Sequence, residues 1–124
     1  MAGEKRPKKQ NEFRRLYLAG CASMAGFRYA CKNEAAFRLE LCLTLIAPVS
    51  VILISGSYLK TAIVLSVWIL VLVVEVLNTA IETIVDRISL ERHPLSGAAK
   101  DLGSFAVLLT TLNALIWWAY ALLS

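Results

Sequence analysis

The chain reads as an all-α integral membrane protein: an N-terminal amphipathic surface helix followed by three transmembrane helices. Hydropathy is the first ground. Leu41 to Leu59 and Leu102 to Ser124 are uninterrupted by charge over 19 and 23 residues, each near the roughly 20 residues that a spanning helix needs. Composition is the second. The 124 residues are 58% hydrophobic and 18% charged with mean hydropathy +0.65, against about 45–50% and about 25% in soluble domains. Charge placement is the third: of 13 Lys and Arg residues, Lys5, Arg6, Lys8, Lys9, Arg14, Arg15, Arg28, Lys32 and Arg38 all precede the first apolar run. At this length a soluble catalytic domain plus a separate anchor is excluded, and one membrane unit remains.

Residues 1–11, rich in Lys and polar side chains, are expected to form a disordered basic tail. Residues 12–33 follow as an amphipathic interfacial helix. Phe13, Leu16, Tyr17, Met24 and Phe27 fall on one side of a 3.6-residue period, flanked by Arg14, Arg28 and Lys32. Such a helix lies in the headgroup plane with its basic edge toward anionic lipid. Leu18-Ala19-Gly20-Cys21 resembles a lipoprotein cleavage box, but only Leu16 and Tyr17 separate it from Arg14-Arg15, where a signal peptide needs about 7–15 apolar residues. Cys21, Cys31 and Cys42 form no metal-ligand or disulfide spacing and read as small apolar fillers.

Residues 34–124 are expected to hold the three crossings. Pro48 falls inside the first, where it removes a backbone donor. Ile54 to Lys60 supplies a short turn. The second crossing lies between Lys60 and Asp86, apolar except for Glu75, Asn78 and Glu82. A polar connection then runs from Asp86 to Asp101, with His93, Pro94 and Gly97 as breakers. Arg87, Arg92 and Lys100 flank it, whereas Lys60 stands alone between the first two crossings. Positive-inside asymmetry therefore puts the N-terminus and this second connection in the cytoplasm. Nucleic acid is not needed to explain the basic N-terminal end.

Advancing 100° per residue, Glu75, Asn78, Thr79, Glu82 and Asp86 share one stripe of the second crossing. Glu75 and Glu82 are two turns apart, about 10.5 Å. A carboxylate at the centre of a spanning helix costs on the order of 2.5–3.5 kcal/mol on insertion scales, so intramembrane acids face protein or water and carry function. Interhelical hydrogen bonding is the bland alternative; it suits Asn78 and Thr79 better than two acids on one face. Asn33 is placed to cap a helix beginning at Glu34, and Glu34 to pair with Arg38 one turn on. Glu34 and Glu82 would also meet at the cytoplasmic interface, where one or two carboxylates with phosphates and water hold Mg²⁺. Lys100-Asp101 adds a cation for phosphate and another acid. No P-loop, Rossmann, hydrolase, protein-kinase or zincin motif is present. Phosphoryl transfer, proton-coupled transport and an ion pore all fit to this point.

Residues 33–40 (NEAAFRLE), 74–88 (VEVLNTAIETIVDRI) and 93–109 (HPLSGAAKDLGSFAVLL) closely resemble the prokaryotic integral-membrane diacylglycerol kinase family. The resemblance extends over about residues 13–124 and rests on polar residues recurring in order within membrane segments. It implies a homotrimeric bundle in the bacterial inner membrane, with active sites shared between subunits, that converts diacylglycerol and ATP to phosphatidic acid and ADP. By matched position, Glu75 is the general base for the lipid hydroxyl and Asn78 orients the centre. Glu34 and Glu82 hold Mg²⁺ on the ATP phosphates. Arg15, Glu91, His93, Lys100 and Asp101 are the remaining nucleotide contacts, and Arg28, Arg38, Glu40, Ser104 and Trp118 join Glu75 on the lipid. Met24 and Ala22 depart from a family Trp and Tyr.

Two rivals stay in view. The related undecaprenol kinases share fold and acids but carry a KDxxAxAV pattern where this chain has KDLGSFAV from Lys100; the Gly103-Ser104 pair favours diacylglycerol. A small proton-coupled transporter would use Glu75 as its exchange site and need no magnesium. One expectation concerns shielding: a lone subunit should have too few helices to cover Glu75, Asn78 and Glu82, so neighbours would have to, with Ala99 and Gly103 as a close-packing face.

Overall fold

The computed structural model describes residues 11–124 as four helices: α1 (Glu12–Asn33), α2 (Ala35–Ser55), α3 (Tyr58–Ile88) and α4 (Pro94–Leu123). The expected basic tail falls, but for Asn11, outside these residues. Asn11 starts α1, its side chain accepting from the Phe13 N–H at 3.3 Å.

Helices α2, α3 and α4 are each long and apolar enough to cross a membrane. They extend beyond the uncharged runs. α2 begins six residues before Leu41, and α4 begins at Pro94 rather than near Leu102. At 1.5 Å per residue α3 and α4 are about 45 Å long, against a hydrocarbon core of about 30 Å. Backbone hydrogen bonds continue wherever φ and ψ permit, so charge-free length measures what lipid tolerates and not where the helix stops. Pro94 accordingly opens α4 at its first turn, where no N–H is needed, and the connection shrinks to residues 89–93.

Each junction has a local cause. Glu34 is a single extended residue (φ −113°, ψ 108°) between α1 and α2, its N–H bonded to Ala30 O at 2.9 Å. Asn33 does not cap α2. It is the last residue of α1, and its Nδ2 donates back to Tyr29 O at 2.9 Å. Nor does Arg38 pair with Glu34: its guanidinium donates to Cys31 O at 2.9 Å and Lys32 O at 3.4 Å. The final carbonyls of α1 lack intrahelical donors and carry the negative end of the dipole, so they win the cation. Between α2 and α3, Gly56 takes φ 64°, open to glycine without Cβ strain. Ser57 then caps α3 through the Lys60 N–H.

The packed core occupies the half of the bundle remote from residues 89–93. Ala47, Val51, Val64, Trp68, Val71, Ala114 and Ala121 are all but sealed there. The Trp118 and Trp68 rings meet edge to face at 5.9 Å, and Trp118 Nε1 donates to Ser50 Oγ at 2.9 Å. Three helices are thereby tied by one aromatic pair and one hydrogen bond. The opposite half contains the polar interior: Glu40, Thr44, Glu75, Asn78 and Thr79. Most of the outer surface is Leu, Ile, Val and aromatic side chains. α1 touches this bundle near its end, where Phe27 meets Phe37 edge to face at 6.1 Å; its Phe13, Leu16, Tyr17 and Met24 are exposed.

Candidate active site

α3 presents Glu75, Asn78 and Glu82 on one stripe, with Thr79 beside them lining a groove shared with Gly26, Tyr29 and Ala30 of α1. Glu75 and Asn78 are 5% and 9% exposed, and Glu82 is half-buried. A single chain therefore covers the two deepest groups, contrary to the expectation that neighbours must. The reason is close approach by both flanking helices. On α4, Gly103 is buried against the Asn78 carboxamide, at a distance no side chain would permit. On α2, Glu40 and Thr44 are buried one turn apart, with Thr44 Oγ1 donating to Glu40 O at 2.8 Å.

Two carboxylates, Glu40 and Glu75, are buried in this interior, and two more influence Glu75 through charge. Glu75 stands within electrostatic range of Glu34, at the α1–α2 corner, and of Glu82 two turns along α3; Glu40 is within range of Glu75. Asn78 Nδ2 donates to Glu82 Oε1 at 3.4 Å. Glu40 Oε2 has no hydrogen-bond partner among the described residues. Buried acids of this kind oppose folding unless cations, protons or donors compensate them. Helix periodicity placed Glu75, Asn78 and Glu82 together; it could not bring Glu40 to them, because Glu40 lies on another helix. Its available signal was the Glu40/Thr44 spacing, which puts two polar groups on one face of α2.

Toward the α3–α4 connection, a cleft of about 570 Å³ is lined by Asp86, Glu91, His93, Ser96, Gly97 and Lys100, among others. Lys100 Nζ reaches Asp86 Oδ1 at 2.6 Å, the one ion pair among the described residues, and also senses Glu82. The cleft opens at the N-terminus of α4, the positive end of its dipole. His93 caps that end, its Nδ1 accepting from the Leu95 N–H at 3.2 Å. Glu91, His93 and Lys100 thus share one cleft next to Glu82. Asp101 is exposed one residue on. Arg15 is elsewhere, lining a groove on α1 with Glu12 and Leu16.

The expected lipid contacts divide likewise. Glu40 joins the acid cluster. Arg28 and Ser104 are exposed, and Arg38 is committed to the α1 carbonyls. Trp118 is half-buried at the level of Trp68, two turns of α3 beyond Glu75, with its N–H held by Ser50. Within one chain it is a packing residue.

No cluster of three or more His, Cys, Asp or Glu side chains suited to a metal occurs among the described residues. Glu34 and Glu82 are the residues that would hold a magnesium ion arriving with a nucleotide, because Mg²⁺ takes one or two carboxylates and fills its other positions with phosphate and water. Glu34 has no ion pair or side-chain hydrogen bond among the described residues, and Glu82 accepts only the long bond from Asn78.

Comparison with known proteins bears on the chemistry. The family described as prokaryotic diacylglycerol kinase matches residues 21–122. The chain is 44% identical to the diacylglycerol kinase of Escherichia coli K12 over 112 residues, 90% of this chain and 92% of that protein. It is 42% identical to that of Pseudomonas aeruginosa over 116 residues, 94% of each. With that of Helicobacter pylori the identity is 34% over 120 residues, 97% of this chain and 91% of the other. A buried acid cluster between three membrane-crossing helices, a cation-bearing cleft beside it, and similarity along nearly the whole chain agree: this multi-pass membrane protein belongs to the prokaryotic diacylglycerol kinase family.

Proposed function

We propose that the protein is a lipid kinase that transfers the γ-phosphoryl group of MgATP to the primary hydroxyl of diacylglycerol, yielding phosphatidic acid and ADP. The observation that carries this reading is Glu75: a carboxylate buried within a spanning helix, with Glu40 buried on the neighbouring helix and Glu82 two turns along its own. Its depth suits an alcohol that cannot leave the bilayer, while the cleft bearing Lys100 suits a nucleotide that cannot enter it.

The division of labour follows from position. Glu75 accepts the hydroxyl proton as oxygen attacks the γ-phosphorus. Asn78 holds Glu82 in place through its amide. Glu34 and Glu82 hold the magnesium ion, which supplies charge neutralisation on the phosphate oxygens when bound. Lys100, beside the α4 N-terminus, attracts the phosphate chain, with Glu91, His93 and Asp101 around the rest of the nucleotide and Arg15 closing over it. Glu40, Arg28, Arg38, Ser104 and Trp118 guide the lipid. Positioning and electrostatics supply most of the catalysis, as in other phosphoryl transfers.

The exposed apolar side of α1 supports its placement in the interface, and the charge asymmetry supports a bacterial cytoplasmic membrane with the N-terminus and residues 89–93 inside. The large apolar surface left on α2, α3 and α4 supports assembly as a homotrimer in which neighbours complete each site.

The test is phosphorylation by labelled ATP of diacylglycerol and undecaprenol, presented separately in mixed micelles at varied Mg²⁺. Phosphatidic acid formation that depends on Mg²⁺ is expected. Preferential labelling of the polyprenol would replace the substrate. Proton or cation flux in liposomes with no lipid product would replace the activity.

A further inference from the structure

Gly103 has no place in the chemistry above, yet its surroundings are unlike those of any other described glycine. A Cβ built on Gly20, Gly26, Gly56 or Gly97 meets nothing, whereas one on Gly103 collides with Asn78 Oδ1. That oxygen is buried and has no conventional donor among the described residues. The direction a Cβ would take is that of a Gly103 Cα–H bond, so the oxygen rests on a Cα hydrogen, the weak donor that recurs where helices touch. The amide can adopt only one sense there. Reversed, it would direct its oxygen at the Glu82 carboxylate, which is acceptor-only when ionised, and its NH₂ group at a carbon.

We propose that Gly103 is a positioning residue. By admitting the Asn78 oxygen into the α3–α4 contact, it turns the Asn78 NH₂ group toward Glu82 and so sets where that carboxylate sits. Any side chain at 103 would push the amide away and release Glu82. Gly103 touches no reacting atom; it acts through Asn78. The catalytic part of this inference rests on the lipid-kinase reading, whereas its structural part does not.

A bystander glycine and a colliding one make opposite-signed predictions for a single change. Alanine is the better helix former, so if Gly103 were a bystander Gly103→Ala would stabilise the protein. The collision instead predicts that Gly103→Ala lowers Tm and that the same change in an Asn78→Ala background raises it. For turnover, Gly103→Ala is expected to reduce kcat about 10²-fold, as small misplacements do, with diacylglycerol KM changed little and the Mg²⁺ requirement shifted upward. In the Asn78→Ala background it should cost no further activity, the non-additivity expected of residues acting as a unit.

The experiment is this four-member cycle on the full chain, read by thermal unfolding and by Mg²⁺-dependent phosphatidic acid formation. Equal Tm changes in both backgrounds, or an equal fold-loss of kcat in both, would overturn the proposal. Should Gly103→Ala fail to assemble, restored assembly in the double variant supports it and persistent failure refutes it. An inactive parent protein with the sign reversal in Tm intact would instead refute the kinase reading.

Discussion

Glu75→Gln preserves the size of the side chain and removes its capacity to take a proton, which separates chemistry from architecture at one position. Turnover is expected to fall at least about 10²-fold, the lower end for loss of a general base, with assembly unchanged by size-exclusion chromatography; unaltered turnover would leave Glu75 as a structural acid. Activity of the parent protein should also decline on acidification, because a carboxyl group already protonated cannot act as the base, and residual Glu75→Gln activity should lack that limb of the profile. Ser50→Ala is the contrasting case. It deletes the acceptor for Trp118, far from the acids, and is expected to cost about 0.5–1.5 kcal/mol of stability with kcat unchanged. A lowered kcat would mean that Trp118 acts on turnover as well as on lipid binding.

Helix ends carry the next layer of meaning, since several polar residues that read as ligands also finish helices. His93 caps α4 and lines the cleft. These roles separate in a pair of variants: His93→Asn retains a capping acceptor, whereas His93→Ala does not. Both should raise the KM for ATP if the imidazole meets nucleotide, and only His93→Ala should destabilise, by about 0.5–2 kcal/mol. Arg38 is similar. Its guanidinium spans the α1–α2 corner to two terminal carbonyls, so Arg38→Ala is expected to speed amide exchange around residues 30–34 and raise the KM for lipid together. Exchange unchanged beside a raised KM would make Arg38 a direct lipid ligand. The local pattern at 33–38 offered a cap and an intrahelical ion pair, and neither formed. Asn33 was consumed by α1, and the cation was drawn to carbonyls that sequence spacing does not display.

For the whole molecule, orientation is the property that charge alone sets. In a background with the native cysteines replaced by alanine, Ser57→Cys should react with an impermeant thiol reagent added outside intact cells, and Ser96→Cys only after lysis. The reverse pattern would invert the topology and move the nucleotide cleft out of reach of cytoplasmic ATP. The bundle is also divided along its length. Trp68 and small residues seal the end near Ser57, while acids occupy the end near residues 89–93. An apolar outer surface leaves the polar groups the interior in which to gather, and the proposed orientation puts that end on the nucleotide side.

Three spanning helices, their order and the stripe of Glu75, Asn78 and Glu82 were readable in the chain, because the cost of charge in hydrocarbon and the 3.6-residue period act within one segment at a time. The same physics misjudged extents: charge-free runs ended where lipid ends, several residues short of α4's first turn. Packing settled what lies between segments. Glu40 is buried from α2 in the same interior as Glu75, Gly103 on α4 receives the Asn78 oxygen, and Trp118 turns inward to Ser50. None of these pairings has a period, since each joins residues whose separation along the chain is unrelated to their distance. Burial of Glu75 by its own subunit followed from them, because helices that meet at a glycine come closer than hydropathy can foretell.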